Sequence, residues 1–306
     1  MLLTKKPHLV VIAGPTAVGK TSVAIEVANH FKTEIVNADS RQLYREMEIG
    51  TAVPSNKELE KVKHHFIQSH SVESPISAGD YEEMIIPLLD QLFSKHEVVV
   101  LSGGSGLYID AVLNGFDTGL PKSNPELRTE LQQLLDEKGI ESLQMRLNKL
   151  DPEYYKQVDL NNSHRLIRAI EVSETLGIPY SQARTNQQKE RRFDCIKICL
   201  NRNRRELYDR INLRVDQMIE NGLVNEAKLL FPKRELSSLN TVGYSELFDH
   251  FEQKHNLSEA VELIKRNSRR YAKRQITWFK RDPDYQWFNP NELDGILHYV
   301  NKQKKV

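Results

Sequence analysis

Hydrophobic positions along this 306-residue chain follow two rhythms. Short unbroken apolar runs, the pattern of strands buried on both faces, stand at 8–14 (HLVVIAG), 33–39 (TEIVNAD), 97–104 (EVVVLSGG) and 193–200 (FDCIKICL). Helical spacing takes over at 21–31 (TSVAIEVANHF) and at 84–96 (MIIPLLDQLFSKH), which places Pro87 in a first turn, where its missing N–H is tolerated. Strands alternating with helices predict a parallel sheet joined by crossovers. From Asp117 to about Arg191 the pattern is mostly helical, in PELRTELQQLLDEKG, ESLQMRLNKL and HRLIRAIEVSETLG. That stretch is too long for a plain crossover. The pattern therefore predicts a core of residues 1–116 and 192–306, with 117–191 as a helical insertion. Within the core, residues 204–281 read as helical and lid-like, and YQWF at 285–288 as a candidate last strand.

Composition narrows the class. Hydrophobic residues at 39% and charged residues at 28% describe an ordinary globular protein. No apolar run approaches the roughly 20 residues that span a bilayer. The short apolar stretch near the N-terminus runs into a glycine loop, which is not the pattern of a signal peptide; the expectation is a soluble, cytoplasmic monomer. Cys195 and Cys199 cannot form a disulfide framework or a four-cysteine zinc site and are expected to be small core residues. A net charge of +1 excludes a globally basic nucleic-acid binder but not a local patch. Two basic clusters stand out. One runs from Lys265 to Arg281 with no acid inside it; the other comprises Arg184, Lys189, Arg191, Arg192, Lys197, Arg202, Arg204 and Arg205. Each reads equally as a solvated helix face or as a surface for polyphosphate or RNA.

The most specific local signal is GPTAVGKT: Gly14, Pro15, Thr16, Ala17, Val18, Gly19, Lys20 and Thr21. It fits G-x-x-x-x-G-K-[ST] between a strand and a helix. Glycines let the backbone curl so that its N–H groups meet phosphate oxygens, and the helix N-terminus adds partial positive charge. Lys20 is placed to reach the terminal phosphates and the Thr21 hydroxyl to hold Mg²⁺. The fold class is thus α/β, a P-loop NTPase-like parallel sheet flanked by helices, with a helical insertion. The loop certifies a polyphosphate site without saying that the phosphate belongs to a nucleotide.

The remaining parts of an ATPase are missing. The third strand closes on Ser102 and glycines, without the acid typical of Mg²⁺-ATP sites. An acid ends the second strand instead, at Asp39. Strand ends beside the loop form the ligand crevice of such sheets. Asp39 therefore reads as a base or substrate contact, or as the N-cap of DSRQLY. In GGSGLYID, Ser105 offers a hydroxyl after paired glycines. Arg210 and Arg214 lie four apart on one helix face after the fourth strand. They are candidates to neutralise a leaving diphosphate; the alternative is ion pairing with Glu206, Asp209 or Asp216.

Together these motifs resemble the tRNA dimethylallyltransferases (tRNA isopentenyltransferases) of bacterial type. The matching pieces are GPTAVGKT at 14–21, NADSRQLYREMEIGTA at 37–52, SGGSGLYIDAVLNG at 102–115, NNSHRLIRAIEV at 161–172, DRINLRVDQMIENGLVNEAKLL at 209–230, TVGYSEL at 241–247 and YAKRQITWFKR at 271–281. The resemblance implies that dimethylallyl diphosphate, not ATP, sits on the phosphate loop. It implies transfer of the five-carbon group to N6 of the adenosine just 3′ of the anticodon, with Mg²⁺ assisting and the insertion gripping the anticodon stem. By the same resemblance Asp39 is the general base, and Lys20 and Ser105 complete the catalytic set. Asp39, Ser40, Arg41, Gln42, Ser105, Arg128, Ser163, His164, Arg165, Leu166 and Ile167 fall at positions of tRNA contact. Ser105 stands where the family usually has Thr. Asp159-Leu160-Asn161-Asn162 replaces the family's His-Pro-Asn-Asp turn. The target base must be flipped out of its stack, and Tyr44, Tyr108 and Phe66 are candidate walls for its channel, with core packing as the simpler reading. The alternatives are an ATP-dependent small-molecule kinase, a prenyltransferase of free adenine nucleotides, and a non-catalytic RNA-binding module.

Overall fold

The structure, a computed structural model, describes residues 6–115, 120–185 and 189–305. The chain forms two compact units, 1–114 with 190–306, and 115–189. The expected boundary at 116/117 lies outside the described residues.

Six strands of the first unit make one sheet: β1 (His8–Ala13), β2 (Ile35–Asn37), β3 (His64–His65), β4 (Val98–Gly103), β5 (Asp194–Leu200) and β6 (Gln286–Phe288). Their spatial order is β3-β2-β4-β1-β5-β6, and every pairing is parallel. This is the P-loop NTPase-like α/β architecture. β1 lies between β4 and β5, and all six of its residues are buried, which is why its sequence is one unbroken apolar run. β3 was not foreseen: a two-residue polar strand at the sheet edge has no periodicity to read.

Helices α1 (Lys20–Phe31), α2 (Asn56–Leu59), α3 (Ala78–Phe93) and α4 (Gly106–Asn114) lie between the first strands and the insertion. The second unit holds α5 (Pro125–Lys138), α6 (Ile140–Leu150), α7 (Pro152–Tyr155), α8 (Ser163–Leu176) and α9 (Tyr180–Ala183). The first unit resumes with α10 (Arg204–Glu220), α11 (Leu223–Leu230), α12 (Tyr244–Phe251), α13 (Leu257–Phe279) and α14 (Leu293–Gln303). Against expectation, α3 begins at Ala78 and not near 84, so Pro87 is interior to the helix. A capping box starts it early: the Ser77 hydroxyl accepts from Asp80 N, and the Asp80 carboxylate accepts from Ser77 N over 2.9 Å.

Val23, Val27, Ile296 and Val300 pack with Val10, Ile12, Val100 and Ile198 in the core beside the sheet. A second cluster under α10–α13 gathers Val215, Leu223, Leu230, Tyr244, Leu247 and Ile264 around Tyr44 and Met47. Cys199 is buried as expected, whereas Cys195 is exposed near the start of β5.

The second unit has its own core of Leu131, Leu143, Leu147, Leu166, Ala169 and Ile170, with Ile167 beside them. Leu166 is 0% and Ile167 8% exposed. Their side chains pack into this core, and truncation of such residues costs about 2–5 kcal/mol. Beneath that core Glu171, 0% exposed, accepts from Arg128 Nε over 2.9 Å, Arg128 Nη2 over 3.1 Å, Arg168 Nη1 over 2.7 Å and Asn124 N over 2.7 Å. A buried carboxylate needs such partners, and the Arg128 guanidinium supplies two of these bonds while its side chain stays 46% exposed. His164 and Arg165 are exposed in the first turn of α8, with Ser163 half-buried beside them.

Candidate active site

The phosphate loop joins β1 to α1. Gly19 adopts φ +107°, a conformation that suits glycine, and precedes α1 without any side-chain cap. The first-turn N–H groups are thereby left facing the loop, as an anion requires. Gly14, Pro15 and Val18 are buried and shape the loop from beneath, while Thr16, Ala17, Gly19, Lys20 and Thr21 line a cavity of about 540 Å³. Lys20 Nζ donates to the carbonyls of Gly14 over 3.0 Å and Pro15 over 2.9 Å.

The far wall is set by the ends of β2 and β4. A Cβ on Gly103 would come within 2.1 Å of the Ala38 carbonyl oxygen, so only glycine lets these strand exits touch. Asp39 follows directly and lines the cavity with Arg41 and Gln42. Its Oδ1 accepts from Arg41 N over 3.0 Å and Gln42 N over 3.4 Å; no donor reaches Oδ2 among the described residues. The capping reading thus accounts for one carboxylate oxygen and leaves the other to the cavity.

Ser105 is 7% exposed and is absent from the cavity lining. Its hydroxyl accepts from Ser40 N over 2.9 Å and donates to Ser40 Oγ over 3.1 Å. It therefore helps to fix the turn that carries Asp39, and it also bonds to the Tyr271 side chain that lines the cavity. Arg41 is likewise tied down, to the carbonyls of Ser238 over 2.8 Å, Asn240 over 3.2 Å and Ser237 over 3.3 Å.

The two arginines of α10 turn toward the loop and not toward acids. Arg210 Nε donates to Ala17 O over 2.9 Å. Arg214 donates to Thr16 Oγ1 over 3.3 Å and to Thr51 O over 3.2 Å, while its Nε is buried without a partner among the described residues. Of their expected rival partners, Glu206 pairs with Arg202 and Asp216 with Lys265. Burial pushes the Lys20 ammonium down to about 8, opposed by nearby Asp39 and assisted by Arg214. Burial also lowers Arg214, again against the pull of Asp39. Two desolvated cations facing one carboxylate across a cavity make a site built for a polyanion.

Four participants escape sequence reading. Gln275 and Tyr271 line the cavity from α13; burial pushes the Tyr271 hydroxyl up to about 12, with Asp39 adding to the effect. Thr51 supplies a carbonyl shared by Arg214 and Gln42 Nε2, the latter at 3.1 Å. Glu226, on α11, accepts from the backbone N–H groups of Glu48, Ile49 and Gly50 and from Tyr244 Oη, at 2.6–3.0 Å. The expected channel aromatics do not line the cavity. Tyr44 and Tyr108 are 2% and 7% exposed, with both hydroxyls bonded to the Ile76 backbone, and Phe66 stacks edge-on against Tyr81.

The basic stretch on α13 divides. Lys265 pairs with Asp216 over 2.7 Å, and Arg269 donates to Asn212, both on α10. Arg266, Arg270, Lys273 and Arg274 are exposed, with no carboxylate partner among the described residues. The second cluster also divides: Arg191 pairs with Glu82, Lys197 with Asp282 and Arg202 with Glu206, while Arg192, Arg204 and Arg205 are exposed.

A family model described as IPP transferase matches residues 42–282. The chain belongs to the IPP transferase family. Among IPP transferase relatives, the tRNA dimethylallyltransferase of Christiangramia forsetii is 53% identical over 297 residues, covering 97% of this chain and 98% of its own. That span takes in residues upstream of the family model, where the phosphate loop lies. The solved full-length tRNA isopentenylpyrophosphate transferase of Bacillus halodurans is 35% identical with a TM-score of 0.73, covering 98% of this chain and 97% of its own. The corresponding Staphylococcus epidermidis structure is 32% identical with a TM-score of 0.69, covering 97% and 100%. Among the described residues no helix is long and apolar enough to cross a membrane.

Proposed function

We propose that this IPP transferase moves the dimethylallyl group from dimethylallyl diphosphate to N6 of the adenosine 3′-adjacent to the anticodon in tRNA. The observation that carries the reading is the pair of desolvated cations, Lys20 and Arg214, set across one cavity from the half-free carboxylate of Asp39. The diphosphate lies on the loop from Gly14 to Thr21, held by backbone N–H groups, Lys20, Arg210 and Arg214. The N6 amine attacks C1 of the allyl group, the C1–O bond breaks, and the diphosphate leaves with that electron pair. Oδ2 of Asp39 takes the N6 proton as the new C–N bond forms. The loop cations stabilise the charge that develops on the leaving oxygen.

The donor set suits Mg²⁺ in one manner only. The described residues hold no group of three or more His, Cys, Asp or Glu side chains fit for a metal. The Thr21 hydroxyl is the protein ligand on offer, and Mg²⁺ commonly binds through few protein groups, substrate phosphates and water. Bound there, Mg²⁺ would neutralise diphosphate charge.

The RNA approaches from the cytoplasm, where its phosphates meet the exposed cations of α13, and His164 and Arg165 of the insertion meet the anticodon stem. A kinase reading leaves Asp39 unexplained, because β4 closes on Ser102 and Gly103 without the acid that a Mg²⁺-ATP site uses. The test is a thermal-shift titration with dimethylallyl diphosphate and with ATP, followed by nucleoside analysis of treated tRNA. Stabilisation by the prenyl diphosphate together with N6-prenylated adenosine supports the reading. Phosphoryl transfer from ATP with no prenylated nucleoside overturns it.

A further inference from the structure

Gln275 is 6% exposed in α13, and one amide group there joins the two glycine turns of the site. Its Nε2 donates to Gly104 O over 2.8 Å, and its Oε1 accepts from Thr16 N over 2.9 Å. The orientation is forced, because a backbone N–H only donates and a backbone carbonyl only accepts. A Cβ on Gly104 would lie 2.4 Å from Nε2, so the second glycine of that turn makes room for this amide.

Both ends of the bridge continue into reactive parts. Thr16 belongs to the phosphate loop, and its hydroxyl accepts from Arg214 over 3.3 Å. Gly104 belongs to the turn after β4, which holds Ala38 through the Gly103 contact and Ser40 through the Ser105 hydroxyl. Asp39 lies between those two residues. The strands leading to the two turns already pair at Ala13 and Gly103; beyond their ends, one side chain bridges the leaving-group side and the base side, reaching across 259 residues to one and 171 to the other.

We propose that Gln275 is a positioning residue that sets the separation between the diphosphate loop and the Asp39 turn. The inference rests on the proposed prenyl transfer. Transfer requires C1 and N6 aligned at about 3–3.5 Å, and a misplacement of about 1 Å can cost 10²-fold in rate. Gln275 touches neither reacting atom; it acts through Thr16 and Gly104.

The test compares Gln275→Glu and Gln275→Met with wild type, measuring kcat with both substrates saturating, Kd for dimethylallyl diphosphate alone, Kd for tRNA, and the thermal midpoint. An ionised carboxylate keeps the bond from Thr16 N but repels the Gly104 carbonyl; once protonated, it donates again. Gln275→Glu is expected to bind both substrates within about threefold of wild type, to lose about 10²-fold in kcat at pH 8, and to regain activity relative to wild type as pH falls toward 6. Gln275→Met, which has neither donor nor a comparable acceptor, is expected to lose kcat with no pH rescue; it carries the test if Gln275→Glu does not fold. Wild-type kcat in either folded variant, or a rise in KM with kcat unchanged, overturns the proposal even when wild type is active. Absence of prenyl transfer by wild type overturns the underlying reading as well.

Discussion

Arg214 donates to the carbonyl oxygen of Thr51 over 3.2 Å, and that carbonyl is held in place by a residue that touches neither. Glu226 gathers the N–H groups of Glu48, Ile49 and Gly50, and so fixes the segment that delivers Thr51. Tyr244 completes the anchor, donating to Glu226 over 2.6 Å from beneath Gly50. Glu226→Gln keeps the shape but replaces one acceptor oxygen with a donor. The expected result is a loss of about 1–3 kcal/mol in stability, read from the denaturant midpoint, with a several-fold weaker affinity for dimethylallyl diphosphate as Arg214 loosens. Unchanged affinity in a folded variant would separate Glu226 from the site.

The parts of this site that are legible in the sequence are the local ones. GPTAVGKT can be read because eight consecutive residues build one loop, and β1, β4 and β5 because strands buried on both faces write continuous apolar runs. Asp39 is legible as an acid at a strand end. Gln275, Glu226 and Tyr271 are not. Each is a polar residue in an amphipathic helix, and its partners lie on distant segments, so nothing local marks it out. At Leu166 and Ile167 motif resemblance names the segment, while helical periodicity decides which of its side chains face inward, and these two face the core.

Asp39→Asn preserves the bonds from Arg41 N and Gln42 N, because the amide oxygen still accepts. The variant lacks the proton acceptor and the negative charge that faces Lys20 and Arg214. General-base contributions run roughly 10²–10⁴-fold, and kcat is expected to fall within that range while tRNA affinity stays near wild type. Steady-state kinetics beside an RNA-binding titration checks both halves; wild-type turnover would remove Asp39 from the base role.

Lys20 gives a pH dependence of two signs. Its ammonium titrates at about 8 in the folded chain against an ordinary 10.5. Between those values the unfolded chain holds the extra proton, so this group makes stability rise with pH from about 8 to 10.5. Diphosphate binding favours the charged form and should move the other way: affinity is flat below pH 8 and weakens by up to about tenfold per unit above it. Calorimetric titration across pH 7–10 checks this, and Lys20→Ala should lose the pH dependence along with affinity for the diphosphate while retaining RNA binding.

On α13 the charges that face α10 and those that face solvent should behave differently. Arg270→Glu and Lys273→Glu remove exposed cations and should weaken tRNA binding, lowering the slope of log K against log salt by roughly 0.7–0.9 for each RNA phosphate that the protein no longer neutralises. Arg269→Glu breaks the hydrogen bond to Asn212 and should reduce stability and turnover instead. Wild-type slopes in both surface variants would confine RNA binding to other faces.

In the insertion, Arg128→Ala leaves the fully buried Glu171 with Arg168, the Ser123 hydroxyl and Asn124 N as its remaining donors. The expected cost is about 1–3 kcal/mol in the stability of that unit, measurable by chemical denaturation. His164→Ala and Arg165→Ala, on exposed positions, should leave stability unchanged and weaken tRNA binding. The opposite pattern would return Arg128 to the RNA surface.

The most direct measurement is transfer of radiolabel from dimethylallyl diphosphate when the enzyme is offered an anticodon stem-loop and, separately, AMP. The account predicts label on N6 of the adenosine 3′ to the anticodon, stoichiometric release of diphosphate, and little label on AMP. Label on AMP at a comparable rate, or none on the stem-loop, would contradict it.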